Sequence, residues 1–202
     1  MKKIILLLFV FLSTFSLFSR DFDYRDIPVQ NGGRIKPLDT FSRNQLLSIY
    51  GKRLLKSENI SAIDWLISLL ANPNQGFNQK VFKLRNPEVA QSLGLEWDNV
   101  HTYSYHEILN GLESQKELLI QIHEKPENEL SIIESQLKEL HANFQKFANM
   151  WWHLKIIPPA SKNPEDSWIS PWEVESEQAL TENQRNLLFN FLEYLNKRLQ
   201  ED

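Results

Sequence analysis

The side chains able to do chemistry are scattered along this chain rather than grouped. There are five histidines: His101, His106, His123, His141 and His153. A zinc-protease motif sets two histidines four apart on one helix face; none of these pairs has that spacing. His101 and His106 flank an expected strand–helix boundary, so they meet only if the turn between them folds that way. The histidines are therefore expected as surface or packed side chains, not metal ligands. Met150-Trp151-Trp152-His153 offers Met and His, both known axial ligands of haem iron. That run ends an amphipathic stretch whose period places Trp151 in the core, so packing is expected there. The carboxylate pairs Glu127 with Glu129 and Glu173 with Glu175 read as solvated faces. There is no G-x-S-x-G elbow, no G-x-G-x-x-G turn and no phosphate loop. The expectation is a non-catalytic protein with no cofactor and no metal of its own.

One charged group stands apart. Arg34, Lys36, Arg43, Lys52 and Arg53 cluster in a chain that is acidic overall, with 22 basic and 26 acidic side chains and a net charge of −4. Two readings are open: a solvated helix face, or a contact patch for an acidic partner or haem propionates, since Arg bonds carboxylates bidentately. The acidic balance argues against nucleic acid or anionic lipid as a partner.

The opening residues set the compartment. Lys2 and Lys3 precede an apolar run over residues 4–18, and Ser19 is small enough to precede a cleavage. This is the pattern of a Sec signal peptide over residues 1–19, which implies a periplasmic product. The run is shorter than the ~20 apolar residues a membrane span needs. An uncleaved leader is the alternative, and it would tether the protein to the inner membrane. Removing it takes two lysines and no acid, which moves the net charge from −4 to −6. With no cysteine there is no disulfide, thiolate nucleophile, lipidated cysteine or C-x-x-C-H haem attachment.

Residues 20–202 are expected to form one mainly α domain, with one or two short β-strands and an extended N-terminal arm. Asn31-Gly32-Gly33 is a tight turn signal. Pro37 forces Lys36 to be extended. Asp39 or Thr40 is expected to cap a helix over 41–50, stopped by Gly51. Ser61 opens a helix to about 71, with Ile63, Leu66, Ile67 and Leu70 on one face and Asn72-Pro73-Asn74 ending it. Residues 80–84 and 100–103 are strand candidates. Asn86-Pro87 and Ser104 each start a helix, the first closed by Gly94. Residues 114–152 are helical with a break near Pro126. Within them Ile133, Leu137, Leu140, Phe144, Phe147 and Trp151 recur at steps of four and three, an a/d-type seam. Glu134 and Lys138 are spaced for an i,i+4 pair. After Pro158-Pro159 comes a loop bearing Trp168 and Trp172. Thr181 caps a last helix to about 199, striped by Leu188, Phe191, Leu192, Leu195 and Leu199.

Residues 26–52, DIPVQNGGRIKPLDTFSRNQLLSIYGK, resemble a "VQ…GRIKP…T" stretch in the extracytoplasmic part of cytochrome c biogenesis proteins of the haem-ligating synthetase type. Trp65, "LLANP" at 69–73, "VFKLRNPEVAQSLGL" at 81–95, "SYHEI" at 104–108 and "LKIIPP…SW" at 154–168 follow in the same order. The resemblance implies an accessory role in cytochrome c maturation, with docking on a multi-span membrane assembly protein and contact with apocytochrome c. In that family, membrane helices carry the histidines and the tryptophan-rich loop that hold haem. These have no counterpart in the present sequence, so the resemblance implies that a separate membrane subunit ligates haem. The arm and first helical turn supply the expected partner contacts: Arg34, Lys36, Asp39, Thr40 and Arg43. The alternative is a periplasmic ligand-binding or scaffolding protein unrelated to haem.

Overall fold

A computed structural model describes residues 23–55, 59–161, 163, 166–175 and 179–201. The expected leader, residues 1–19, lies outside them. The described chain is mainly α with three small two-stranded antiparallel ladders.

Strands β1 (Pro28–Asn31) and β2 (Arg34–Pro37) pair as a hairpin, with Asn31 opposite Arg34. Gly32 and Gly33 connect them at φ 61° and 71°. Positive φ at both central residues is the turn whose twist matches a hairpin, and glycine enters it without a Cβ clash. The expected arm is therefore a defined hairpin. Helix α1 (Leu38–Tyr50) follows without a break. It begins before residue 41, and neither Asp39 nor Thr40 caps it: Pro37 holds the cap position and gives no side-chain bond. Because the hairpin brings Ile27 underneath, the Leu38 N–H donates to the Ile27 carbonyl at 2.8 Å instead. Gly51 ends the helix at φ 76°, its N–H bonded to the Leu47 carbonyl.

After β3 (Leu54–Leu55) and β4 (Ile60–Ser61) comes α2 (Ala62–Ala71), capped by Ser61, whose hydroxyl accepts the Asp64 N–H at 3.2 Å. The expected four-residue stripe is too narrow. Ala62, Ile63, Trp65, Leu66, Ile67, Leu69 and Leu70 are all buried. Only Asp64, Ser68 and Ala71 stay partly exposed, along one narrow edge; a helix apolar over the rest of its surface belongs in the middle of a protein, and α2 packs against α1 and the C-terminal helix. Asn72 both ends α2 and caps α3 (Pro73–Asn78), a helix the sequence pattern did not suggest.

Strand β5 (Phe82–Lys83) pairs with β6 (Thr102–Tyr103), within the two strand candidates. Between them lies α4 (Pro87–Ser92), capped by Asn86. Ser104 and Glu107 form a complete capping box at the start of α5 (Tyr105–Ser114). Helix α6 (Lys116–Glu124) follows, then a linker past Pro126, then α7 (Ile132–Ala148). Glu134 and Lys138 do not pair with each other. Lys125 bonds Glu134 at 2.6 Å and Lys138 bonds Glu127 at 2.7 Å, which ties the linker to α7. The seam residues Leu137, Leu140, Phe144 and Phe147 are buried, with Ile133 and Trp151 packed on the core. Their rings form an aromatic nucleus: Tyr105 stacks on Phe144 at 4.7 Å and Phe82 meets Phe147 edge-on at 5.1 Å. At Asn149 the long helix breaks, and α8 (Met150–His153) is a separate turn.

The C-terminal helix α9 (Glu182–Glu201) buries Leu188, Phe191 and Leu195. Leu192 and Leu199 are exposed, so the expected stripe is narrower by two residues. No helix among the described residues is long and apolar enough to cross a membrane.

Candidate functional site

The hairpin is held on its outer edge by a distant part of the chain. The Gln30 N–H donates to the Lys155 carbonyl at 2.9 Å. The Gln30 side-chain oxygen accepts the Trp168 N–H, also at 2.9 Å. Residues 154–157, in turn, bridge to Ile169 through Ile157. Val29 anchors the inner face at zero exposure. The alternation in Arg34-Ile35-Lys36 then runs opposite to a buried Ile: Ile35 is 61% exposed. Lys36, paired across from buried Val29, is half-buried and donates to the Asn31 side-chain oxygen at 3.0 Å.

The five basic residues do not form one patch. Lys52 and Arg53 follow Gly51 at the far end of α1. Thirteen residues of helix separate them from the hairpin, roughly 20 Å. What the fold brings together is the smaller expected set. Asp39, in the first turn of α1, accepts from Arg43 Nε at 2.8 Å. Thr40 is exposed beside them. Because Asp39 neutralises Arg43 and Asn31 engages Lys36, Arg34 is the cation of this set without a side-chain partner among the described residues. It sits at the turn beside exposed Ile35. An apolar side chain flanked by one unengaged guanidinium is suited to a partner surface with a small apolar hollow beside an acid.

The haem-tempting run is built for packing. Met150 is fully buried, and Trp151 meets Phe77 edge-on at 5.8 Å. The Trp151 carbonyl accepts the Ser170 hydroxyl at 2.6 Å. Trp152 is half exposed. His101 stacks on Trp97 at 3.7 Å in a left-handed turn (φ 55°), and His106 meets the edge of Phe77 at 6.1 Å.

Two histidines do meet, a contact sequence spacing did not foretell. His123 Nε2 on α6 lies 2.8 Å from His141 Nδ1 on α7. The Gln145 side-chain amide lies 3.2 Å from His141 Nε2. An amide N–H can only donate, so His141 accepts at Nε2 and carries its proton on Nδ1, which it donates to His123. Burial first, and the neighbouring His123 second, hold His141 below its ordinary 6.5. The pair borders an apolar groove of about 470 Å³ between α5, α6 and α7, lined by Leu109, Leu112, Leu119, Ile120 and Phe144. Lys116, Glu113 and Glu124 lie at its margin. No set of three or more His, Cys, Asp or Glu side chains converges on a metal position among the described residues.

Compared with protein-family models and with curated proteins, the chain matches none.

Proposed function

We propose that this chain is a non-catalytic accessory domain in cytochrome c maturation. It docks on a multi-span membrane assembly protein and helps position the haem channel or apocytochrome c. The observation that carries the reading is the bond between Gln30 and the segment 155–168. Two of the stretches that resemble the synthetase family, 26–52 and 154–168, lie apart in sequence, and they meet at this point of the fold. That meeting supports treating them as one surface, with Arg34 and Ile35 at its tip. Deleting the gene and staining for covalent haem in c-type cytochromes tests the role. Loss of holocytochrome is expected, and wild-type levels would sink the reading.

The apolar groove favours a second reading, a periplasmic ligand-binding protein unrelated to haem. Its size and lining suit a small apolar molecule. Native mass spectrometry of the purified chain separates the two: a co-purifying small molecule together with unaffected cytochromes selects the second.

A further inference from the structure

We infer that a polar pocket at the end of α1 binds a small aliphatic α-amino acid. The pocket has a volume of about 270 Å³ and lies where the last turn of α1, the β5 segment, the start of α4 and α7 meet. It shares no lining residue with the apolar groove, and it is independent of the role in cytochrome maturation. Its volume is below the ~300–1,000 Å³ of drug-sized sites, so it suits a smaller molecule. Three ionic side chains line it, Lys83, Arg85 and Glu139, and none has a charged partner among the described residues. Phe82 and Leu84 are buried, so the alternation of an extended chain turns Lys83 and Arg85 to the opposite face, about 6.6 Å apart along it. The Leu84 N–H bonds the His101 carbonyl at 3.0 Å, which carries that extended chain past β5. Arg85 Nη2 lies 2.8 Å from where a Cβ would stand on Gly51, so the glycine makes room for the guanidinium.

The neutral groups sort with the charged ones. Asn86 Nδ2 donates to Gln136 Oε1 at 2.9 Å, which leaves the Gln136 amide N–H groups as donors. Asn143 Nδ2 donates to the Ser48 carbonyl at 3.1 Å, which leaves Asn143 Oδ1 as an acceptor. Lys83, Arg85 and Gln136 thus offer donors, which a carboxylate needs. Glu139, Asn143 and the carbonyl end of α1, the negative end of its dipole, suit an ammonium. Opposite charges that share a pocket without pairing with each other are matched by a ligand that carries both. A carboxylate alone would leave Glu139 unanswered, and a plain amine would face two cations. Buried Leu84, Val89 and Leu140 supply an apolar wall for an aliphatic side chain.

The test is titration of the untagged full-length chain with L-leucine, read by calorimetry. One saturable equivalent is expected. Isocaproate, the same skeleton without the amine, and isoamylamine, without the carboxylate, should each bind about tenfold more weakly or worse, since each loses a charge-assisted set of bonds. Arg85→Ala and Glu139→Gln should each weaken leucine by about tenfold or more, while Lys146→Ala, elsewhere on α7, should bind as the wild type does. Arg85→Ala should also weaken isocaproate but leave isoamylamine unchanged; equal weakening of all three compounds would make Arg85 a support for the fold and overturn the site. Should a variant fail to fold, the three compounds on the wild type decide. Absence of a saturable equivalent, or equal binding of leucine and either analogue, overturns the inference.

Discussion

Gln30 accepts the Trp168 N–H across 138 residues of sequence, at 2.9 Å, while its own N–H bonds the Lys155 carbonyl. One residue, through its side chain and its backbone N–H, thus fixes the N-terminal hairpin to the segment that follows the long helices. Gln30→Leu would leave the Trp168 N–H without an acceptor, at a cost of about 1–3 kcal/mol. Gln30→Glu keeps an acceptor and should stay close to wild type. Urea unfolding of the two variants checks this; equal midpoints would mean the contact contributes nothing.

Gly33 has open space where a Cβ would go, so its requirement is purely conformational, from φ 71°. Gly33→Val should destabilise by about 1–2 kcal/mol, while Gly33→Asn, tolerant of this region, should lose much less. Thermal melts of the two variants give the comparison.

Gly111→Ala separates two opposing effects. In an exposed helix the change would stabilise by about 1 kcal/mol. Here a new Cβ would lie 2.9 Å from the Leu93 carbonyl oxygen and 2.8 Å from Leu93 Cβ. Backbone cannot yield as a flexible side-chain tip can, so overpacking wins and the net expectation is a loss of about 1–3 kcal/mol. A stabilised variant would show that α5 and the turn after α4 can separate.

Glu134 makes acid sensitivity testable. A bond from Lys125, then bonds from the Ser131 N–H and hydroxyl, lower its carboxyl from an ordinary 4.5 to about 2. A folded value below the unfolded one means the stabilisation is present above about pH 4.5 and is lost as pH falls toward 2. Glu134→Gln should therefore be less stable at neutral pH and show a shallower decline across that window. Stability curves for both proteins between pH 7 and pH 2 check the sign.

Arg34→Ala combined with Ile35→Ser should leave stability within about 0.5 kcal/mol, since neither side chain is packed. If the hairpin tip is a docking point, the same pair should weaken capture of the membrane assembly protein about tenfold or more. Unchanged capture would move the contact elsewhere.

Much of the helical order was legible because its signals are local. Ser61, Asn86 and Ser104 each sit where a capping side chain is needed, and the seam from Ile133 to Trp151 needs only its own period. The misses share a cause: the deciding contact lies outside the element whose own pattern was read. The start of α1 depends on the Ile27 carbonyl, not on Asp39 or Thr40. Glu134 and Lys138 have the right spacing for each other, yet the linker offers each a nearer partner. The histidine pair is separated by 18 residues and a linker, so it depends on how α6 lies on α7. The split of the basic cluster has the same origin, since a rigid helix of 13 residues carries Lys52 and Arg53 away from Arg34.

Helix α2 buries seven of its ten residues, and part of what covers it is α9, which is synthesised about 110 residues later. A nascent chain therefore emerges with the part of α2 that α9 covers still bare. Until that helix docks, this apolar surface is open to misassociation, which a holding chaperone would suppress.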